Sequence, residues 1–473
     1  MKFEFSQLGP LVNGKIEVAD LTIICGENNT GKTYVTYSLY CLIKSWKRLV
    51  KIDLRKSLAA LKENGAVQIN LQETIVDNWE IIRQNVLDVF LKELPGMMAS
   101  KSALFDKTKL DFCFELGDSW YKKPFRREFR SFRNELTMTI SKSEDSAQVE
   151  IAYLKTDTPL MIMEKFIVEE LVFMMLSDIL PDIFIASAER TGATIFRKKI
   201  NLSQRDFSER LEKFAFLDNI KTSNNKKNEF YKHELINMIR QGSGREYAVP
   251  VDDNVKYLDQ LPSINTEEGD YYKQNKNLLG FLEEITGGNY ITSKEGLTHF
   301  QPTATQLKLD IGEVSSSVRS LMIVFYWLKY QAKVGDMLMI DEPELNLHPA
   351  NQRKLARFIV RLINTGIKVF ITTHSDYIVK EINTLIMLNK DSQELAGIRE
   401  KYKYYPEDVL DYSKVALYMV RDNLDDTKNA TLKTLVKANI SPTLGIEAPS
   451  FDETIEEMNA MQEAIYYGLN LKD

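Results

Sequence analysis

The sequence predicts an α/β fold, a mixed sheet flanked by helices with a large, mainly helical insertion, and three short segments carry that prediction. Leu21–Cys25 (LTIIC) is an apolar run that leads straight into a glycine-containing loop and an apolar-periodic helix over 34–42. Residues 337–340 (MLMI) form a second apolar run, which ends in Asp341-Glu342-Pro343-Glu344. Residues 369–372 form a third, which ends in Thr373-His374-Ser375. Runs this short and this uniformly apolar suit strands covered on both faces, as in a parallel sheet between helices.

The first unit carries the most specific chemistry. Gly26-Glu27-Asn28-Asn29-Thr30-Gly31-Lys32-Thr33 is G-x-x-x-x-G-K-T, placed between a strand and a helix as a phosphate-binding loop requires. Its glycines let successive backbone N–H groups turn inward on a phosphate, and the helix N-terminus adds a favourable dipole. The loop residues Asn28 to Thr33, with Tyr34, are the expected nucleotide contacts. Lys32 supplies a charge to the β- and γ-phosphates, and the Thr33 hydroxyl is an expected ligand of Mg²⁺ beside ATP.

The second unit delivers two carboxylates to the carboxyl edge of the sheet. Asp341 is the expected partner of Mg²⁺, and Glu342 the base that polarises the attacking water. A helix over Pro349–Asn364 follows, with Pro349 in its first turn, Gly366 just past its end, and Leu355, Phe358, Ile359 and Leu362 as its apolar stripe. Strand, helix and strand of these lengths make a parallel crossover. That brings His374 to the same sheet edge as Asp341 and the phosphate loop, facing the γ-phosphate as a second catalytic residue.

Upstream of the acidic strand, Ser315-Ser316-Ser317 opens an apolar helix over 321–330. Hydroxyls and amides at a helix start suit an anion. The loop, this serine segment, MLMIDEPELNLHP and FITTHSDYIVKEIN together resemble the ABC-type ATPases of bacterial anti-phage defence, an OLD-like group within the AAA ATPases. The AriA-type ATPases of PARIS are nearest, then the PtuA-type ATPases of Septu, with RecF and SMC heads as cousins. Ser187-Ala188-Glu189-Arg190-Thr191 and Ser450-Phe451-Asp452-Glu453 resemble further segments of this group.

The resemblance implies a P-loop ABC-type core in which the serines act in trans on the nucleotide of another protomer. In the family that loop reads L-S-G-G-Q, whereas here serines replace both glycines and Val318 the glutamine. A head-to-tail homo-oligomer, at least a dimer, is therefore expected. The implied function is slow hydrolysis of ATP by a sensor or scaffold that sequesters and releases a separate effector, a Toprim or HNH nuclease, with nucleic acid or a phage protein as further partners. A RecF- or SMC-like ATPase acting on DNA ends is the alternative. A transporter subunit is disfavoured by the size of the insertion.

Composition bounds the remainder. The chain has 473 residues with 61 basic and 67 acidic side chains, a net charge of −6, which argues against a surface coated with nucleic acid. Its three cysteines build no disulfide framework and point to a cytoplasmic protein. The apolar stretch over 168–187 is interrupted by Glu169, Glu170, Asp178 and Asp182, so no membrane span is expected. His233, His299, His348 and His374 are too few for an HNH site in this chain, and no Toprim pattern of Glu and Asp-x-Asp follows His374.

The expected domains are a split core over 1–48 and 300–400, with part of 49–299 adding strands, a helical lobe over about 100–300, and a C-terminal region over 401–473. Within the lobe, residues 183–187 read as a sheet strand and 164–175 and 204–240 as helices. A closing helix and strand are expected over 377–389, and a strand over 415–420. The basic stretch from Lys122 to Arg133, and more weakly Arg197-Lys198-Lys199, reads chiefly as a solvated face, with nucleic acid or an acidic protein as its functional partner. The tail from Thr443 carries seven acidic residues against one lysine and so −6 in itself. Phe451, Ile455, Met458, Met461 and Ile465 recur there at helical spacing, and that stripe is expected to pack on the protein's own core.

Overall fold

A computed structural model describes the chain except residues 131–135, 154–159, 196–245, 265–266, 294–296, 306, 391, 426–429, 448–452 and 471–473. The expected helices over 204–240, the basic triplet at Arg197, and Phe132, Arg133, Ser450, Phe451 and Asp452 lie outside the described residues.

A nine-stranded sheet organises the molecule. Its strands are β1 (Lys2–Leu8), β2 (Leu11–Glu17), β3 (Leu21–Cys25), β4 (Lys109–Cys113), β5 (Ile183–Ala186), β6 (Met337–Asp341), β7 (Lys368–Thr373), β8 (Val415–Asp425) and β9 (Ala430–Lys437). They lie side by side in the order β4-β1-β2-β9-β8-β3-β7-β6-β5. From β8 to β5 every neighbour is parallel, while β4, β1 and β2, and the pair β8 and β9, run antiparallel, so the sheet is mixed as expected.

The helices that bear on the site are α1 (Lys32–Leu49), α2 (Val249–Ile264), α3 (Ser316–Tyr330), α4 (Pro349–Asn364) and α5 (Asp376–Met387), and α6 (Glu453–Asn470) follows them in the chain. Strands β3 and β6 are buried at every residue, and β7 at all but its first. Their side chains alternate between two cores. Met337, Met339, Phe370 and Ile24 join the core under α1, whereas Leu338, Ile340, Ile371 and Ile23 join the one under α3, α4 and α5. Both faces are therefore apolar, which is why these strands read as continuous hydrophobic runs.

The register decides where the loops emerge. Asp341 lies opposite Thr372, and Thr373 opposite Cys25, so the ends of β6, β7 and β3 sit side by side on one edge. The expected crossover is present, with α4 linking β6 to its parallel neighbour β7.

Three expectations change. Segment 377–389 is the helix α5 followed by a turn and holds no strand. Residues 415–437, set apart as C-terminal, place β8 and β9 in the middle of the main sheet, with β8 directly beside β3. Such pairing is non-local and leaves no local sequence signal. The exposed stripe on α6 is the third. Met458, Met461 and Ile465 are 55 %, 57 % and 55 % exposed, so these residues do not pack on the core.

The insertion carries strands as well as helices. Ala66–Asn70, Gln148–Tyr153, Leu136–Lys142 and Phe125–Arg130 form a separate antiparallel sheet, beside helices Trp79–Met97 and Leu160–Leu176. Among the described residues, the basic stretch runs onto the last of these strands and its cations are paired within the chain. Arg126 and Arg130 both meet Glu128, Arg127 meets Glu170, and Lys123 meets Asp178. The solvated-face reading fits this arrangement better than a phosphate-binding one.

Strand β5 lies at the sheet's edge, where a side chain satisfies backbone that a further strand would otherwise pair. Asn254 of α2, almost fully buried, donates from Nδ2 to the Ile185 carbonyl at 2.6 Å and accepts from the Ser187 amide at 2.9 Å. Asn254→Ala leaves both groups buried without a partner, so a loss of about 2–3 kcal/mol in unfolding free energy is expected in urea titration. A loss below about 0.5 kcal/mol, typical of a neutral surface change, would show that Asn254 is not what holds this edge.

Candidate nucleotide site

The phosphate loop takes its shape from backbone that few residues adopt. Gly31, at the N-cap of α1, has φ 97°, and a Cβ there would come within 2.8 Å of the Pro10 side chain. Gly26 has φ 152°, and even Asn29 sits at φ 60°. Asn28 and Asn29 are exposed at the loop's crest, and the Thr30 hydroxyl donates to the Glu27 carbonyl at 2.8 Å. Tyr34 turns its ring away towards Gly9 and Phe105. That leaves its backbone amide, rather than its phenol, at the loop.

Lys32 is nearly buried, and its ammonium donates to the Gly26 and Glu27 carbonyls at 2.8 and 2.7 Å. Burial lowers its pKa, against the pull of Glu342, Asp341 and Glu344. The Thr33 hydroxyl donates to Asp341 Oδ2 at 3.2 Å, and the Thr372 hydroxyl donates to Asp341 Oδ1. Asp341 is fully buried, and desolvation pushes its acid up from 3.8 to about 6 despite those two donors. Two hard oxygens side by side at the end of β6 form the arrangement a small divalent cation prefers.

Glu342 is held in an uncommon conformation, φ 51°, by its own amide, which donates to the Thr372 carbonyl at 3.1 Å and the Thr372 hydroxyl at 3.2 Å. A non-glycine residue kept in left-handed backbone stores strain of order 1–3 kcal/mol, and such residues gather at functional sites. His374 Nδ1 lies 3.9 Å from Glu342 Oε1 and 3.2 Å from Glu344 Oε1. The His374 amide also donates to Glu344 Oε1 at 2.8 Å. Glu344 is thus a buried brace for the histidine, while its Oε2 is buried without a partner among the described residues. With Nδ1 turned to a carboxylate, Nε2 is left to face outwards.

The serines open α3 as expected. Ser315 is its N-cap, accepting from the Val318 amide at 3.4 Å and meeting the Ser317 hydroxyl at 2.7 Å, and Arg319 donates to the Ser316 hydroxyl at 3.1 Å. These bonds stay within the start of α3. His348 caps α4, its Nδ1 accepting from the Ala350 amide at 3.3 Å. His299 pairs with Asp310 at 3.0 Å.

Two residues at the site were not foreseen in their roles. In the sequence Glu344 stands only as the end of the DEPE segment, although its spacing from Glu342 is visible there. In the sequence Arg190 stands only within the resembling segment 187–191. Its guanidinium, buried among Ser187, Ser320, Asp341 and Glu342, donates to four main-chain carbonyls. Tyr37 of α1 donates to the adjacent Glu189 at 2.9 Å.

The family comparison agrees with this geometry. Residues 9–379 match the AAA ATPase domain family. Among solved structures the chain is similar to an SMC head bound to the C-terminal winged-helix domain of ScpA, at 10 % identity and TM-score 0.35, covering 93 % of this chain and 97 % of that one. It is similar to an SMC head with an extended coiled coil, bound to the C-terminal domain of ScpA and derived from Pyrococcus furiosus, at 9 % identity and TM-score 0.32, covering 98 % of each chain. The SMC head of Thermotoga maritima gives 9 % identity and TM-score 0.30, covering 93 % of this chain and 98 % of that one. Likenesses this faint carry no argument. No curated protein matches the chain. Among the described residues no helix is long and apolar enough to cross a membrane. The family match spans most of the chain and includes the phosphate loop, the acidic strand and the histidine strand, so the protein belongs to the AAA ATPase domain family and hydrolyses ATP.

Proposed function

We propose that the chain works as a slow, ATP-driven switch in a head-to-tail dimer, and that this switch sequesters and releases a separate nuclease of Toprim or HNH type in anti-phage defence. One observation carries the reading of the site. Lys32, Thr33, Asp341, Glu342 and His374 gather on one sheet edge, while the serines that would face a γ-phosphate bond only within the start of α3. The defence role is supported by the motifs DEPELNLHP and TTHSDYIVKEIN and by the exposed, acidic helix α6, a surface fit for a basic partner.

In this reading the amides of residues 28–34 hold the β-phosphate, and Lys32 exchanges its two carbonyl partners for phosphate oxygens. Thr33 and Asp341 hold Mg²⁺, which neutralises phosphate charge when bound. Glu342 accepts a proton from the attacking water. His374, braced through Nδ1 by Glu344, directs Nε2 to the γ-phosphate. Ser315, Ser316 and Ser317 of the other protomer close the site.

Glu342→Gln is expected to bind ATP, accumulate dimers in light scattering and lower phosphate release on the order of 100-fold or more. Release at the parent rate would remove Glu342 as the base. Lys32→Ala is expected to weaken nucleotide binding on the order of 10-fold in calorimetry, with Tm changed little.

Asp341 gives a prediction with a definite sign. Its folded acid titrates near 6 rather than 3.8, so the folded chain holds that proton more tightly than the unfolded one. This contribution to stability is present below about pH 4 and is lost as pH rises through about 6. Asp341→Asn mimics the protonated form, so without nucleotide it should exceed the parent in stability at pH 8 by about 1–3 kcal/mol. The margin should shrink at pH 5. A margin equal at both pH values would sink the burial argument.

Co-purification with mass measurement tests the partner. A stoichiometric soluble nuclease supports the proposal, whereas DNA alone would move the reading to an ATPase acting on DNA ends.

A further inference from the structure

Among the described residues, the segment that follows β5 holds the one fully buried arginine, and the mechanism above does not use it. Arg190 is 1 % exposed. Its Nη1 donates to the Asp341 carbonyl at 2.7 Å and the Ser187 carbonyl at 2.9 Å, its Nη2 to the Glu342 carbonyl at 2.9 Å, and its Nε to the Ser320 carbonyl at 3.0 Å. All four partners are backbone. The side chain therefore ties three elements together by their main chains: the end of β5, the end of β6 and the first turns of α3.

Stability alone does not call for this residue. Desolvating a guanidinium is costly, and well-packed hydrocarbon of the same volume often serves a buried position as well or better. What hydrocarbon does not offer is a planar fork of fixed geometry, with donors that fix the distances between separate pieces of backbone. The carbonyls chosen are telling. Two belong to Asp341 and Glu342, the second of which is held at φ 51°. The third, from Ser320, lies one turn beyond the serines at the start of α3.

We propose that Arg190 is a positioning residue that couples the two nucleotide sites of the dimer. This rests on the shared-site reading above. In that arrangement one protomer's serines touch its partner's nucleotide, while its own Glu342 serves its own nucleotide. Arg190 is the bridge between those two duties. When the serines close on the γ-phosphate across the interface, α3 moves relative to the sheet. A hydrogen bond weakens steeply once its length or angle departs from the optimum, so the fork carries Ser320 and the Glu342 peptide together. The carboxylate of Glu342 thereby reaches its working position only when the opposite site is filled.

Arg190→Lys keeps the charge and gives up the fork, since one ammonium cannot span three elements. Measured on the full chain, ATP hydrolysis should be cooperative in the parent, with a Hill coefficient above 1. In the variant the coefficient should fall to 1 and kcat should drop at least 10-fold, while affinity for a fluorescent ATP analogue stays within 2-fold. A variant that melts at a lower temperature but keeps the parent's kcat and Hill coefficient below its Tm would make Arg190 a structural residue only. A parent without cooperativity would overturn the inference as well.

A second measurement needs no change at Arg190. Mixed dimers of Lys32→Ala and Glu342→Gln copies with ATP leave the first copy's own loop weak in nucleotide while its serines face the partner's. Hydrogen exchange over residues 341–345 can be read for each copy separately when one copy is uniformly labelled with ¹³C and ¹⁵N, which shifts its peptides clear of the other's. Slower exchange in the Lys32→Ala copy on adding ATP is the expected result, and unchanged exchange overturns the coupling. If Glu342→Gln stays monomeric with ATP, the shared-site reading itself fails. If it dimerises and Arg190→Lys behaves as the parent, only the coupling fails.

Discussion

The structure depends on one buried carboxylate. Asp341 ends the acidic strand at the point where three parallel strands finish side by side, and its two oxygens are claimed by hydroxyls from the other two units, Thr33 after β3 and Thr372 on β7. An acid without water in that position is costly, which its upward shift to about 6 expresses. The cost is tolerable because the register is fixed. Side chains in a strand alternate, so a slip of one residue would send Asp341 into a core and bring Ile340 to the site. The apolar runs on both faces of β6 and β7 forbid that slip, and so the cores dictate the geometry of the site.

This explains which parts were legible in the sequence. The phosphate loop, the helix α4 and the strands β3, β6 and β7 are specified locally: apolar runs, a glycine where backbone must turn left-handed, a proline at a helix start. Even the placing of Asp341 and His374 on one sheet edge follows from a strand–helix–strand unit of ordinary length. The pairing of β8 with β3 joins residues 415–419 to 21–25, and no local pattern announces it. The role of Arg190 was equally hidden, since its partners are carbonyls that every residue possesses. Its signal is purely three-dimensional.

Charge needed the structure most. The basic stretch around Arg127 reads as a patch in one dimension and as a set of intramolecular ion pairs in three, because Glu128 and Glu170 lie within reach. Exposed pairs of this sort contribute little to stability, yet they cancel the field that would draw a polyanion. The acidic tail behaves in the opposite way. Its middle residues 457–467 are all exposed, so Glu457, Glu463, Met458 and Met461 face outwards.

The balance of charge within the site limits how it can work. Glu189, Asp341, Glu342 and Glu344 stand against Lys32 and Arg190, four carboxylates and two fixed cations, before a triphosphate adds its own negative charge. Arg190 is turned wholly to backbone carbonyls, which leaves Lys32 as its ammonium for phosphate. On the proposed reading the deficit is met in two ways that add no further basic side chain. A divalent cation between Thr33 and Asp341 neutralises carboxylate and phosphate together. The start of α3, reaching from the second protomer, offers hydroxyls and unpaired amides that favour an anion through their dipoles alone. A site so short of positive charge is closed only when both arrive, and that makes the filled, paired state a signal distinct from the empty one.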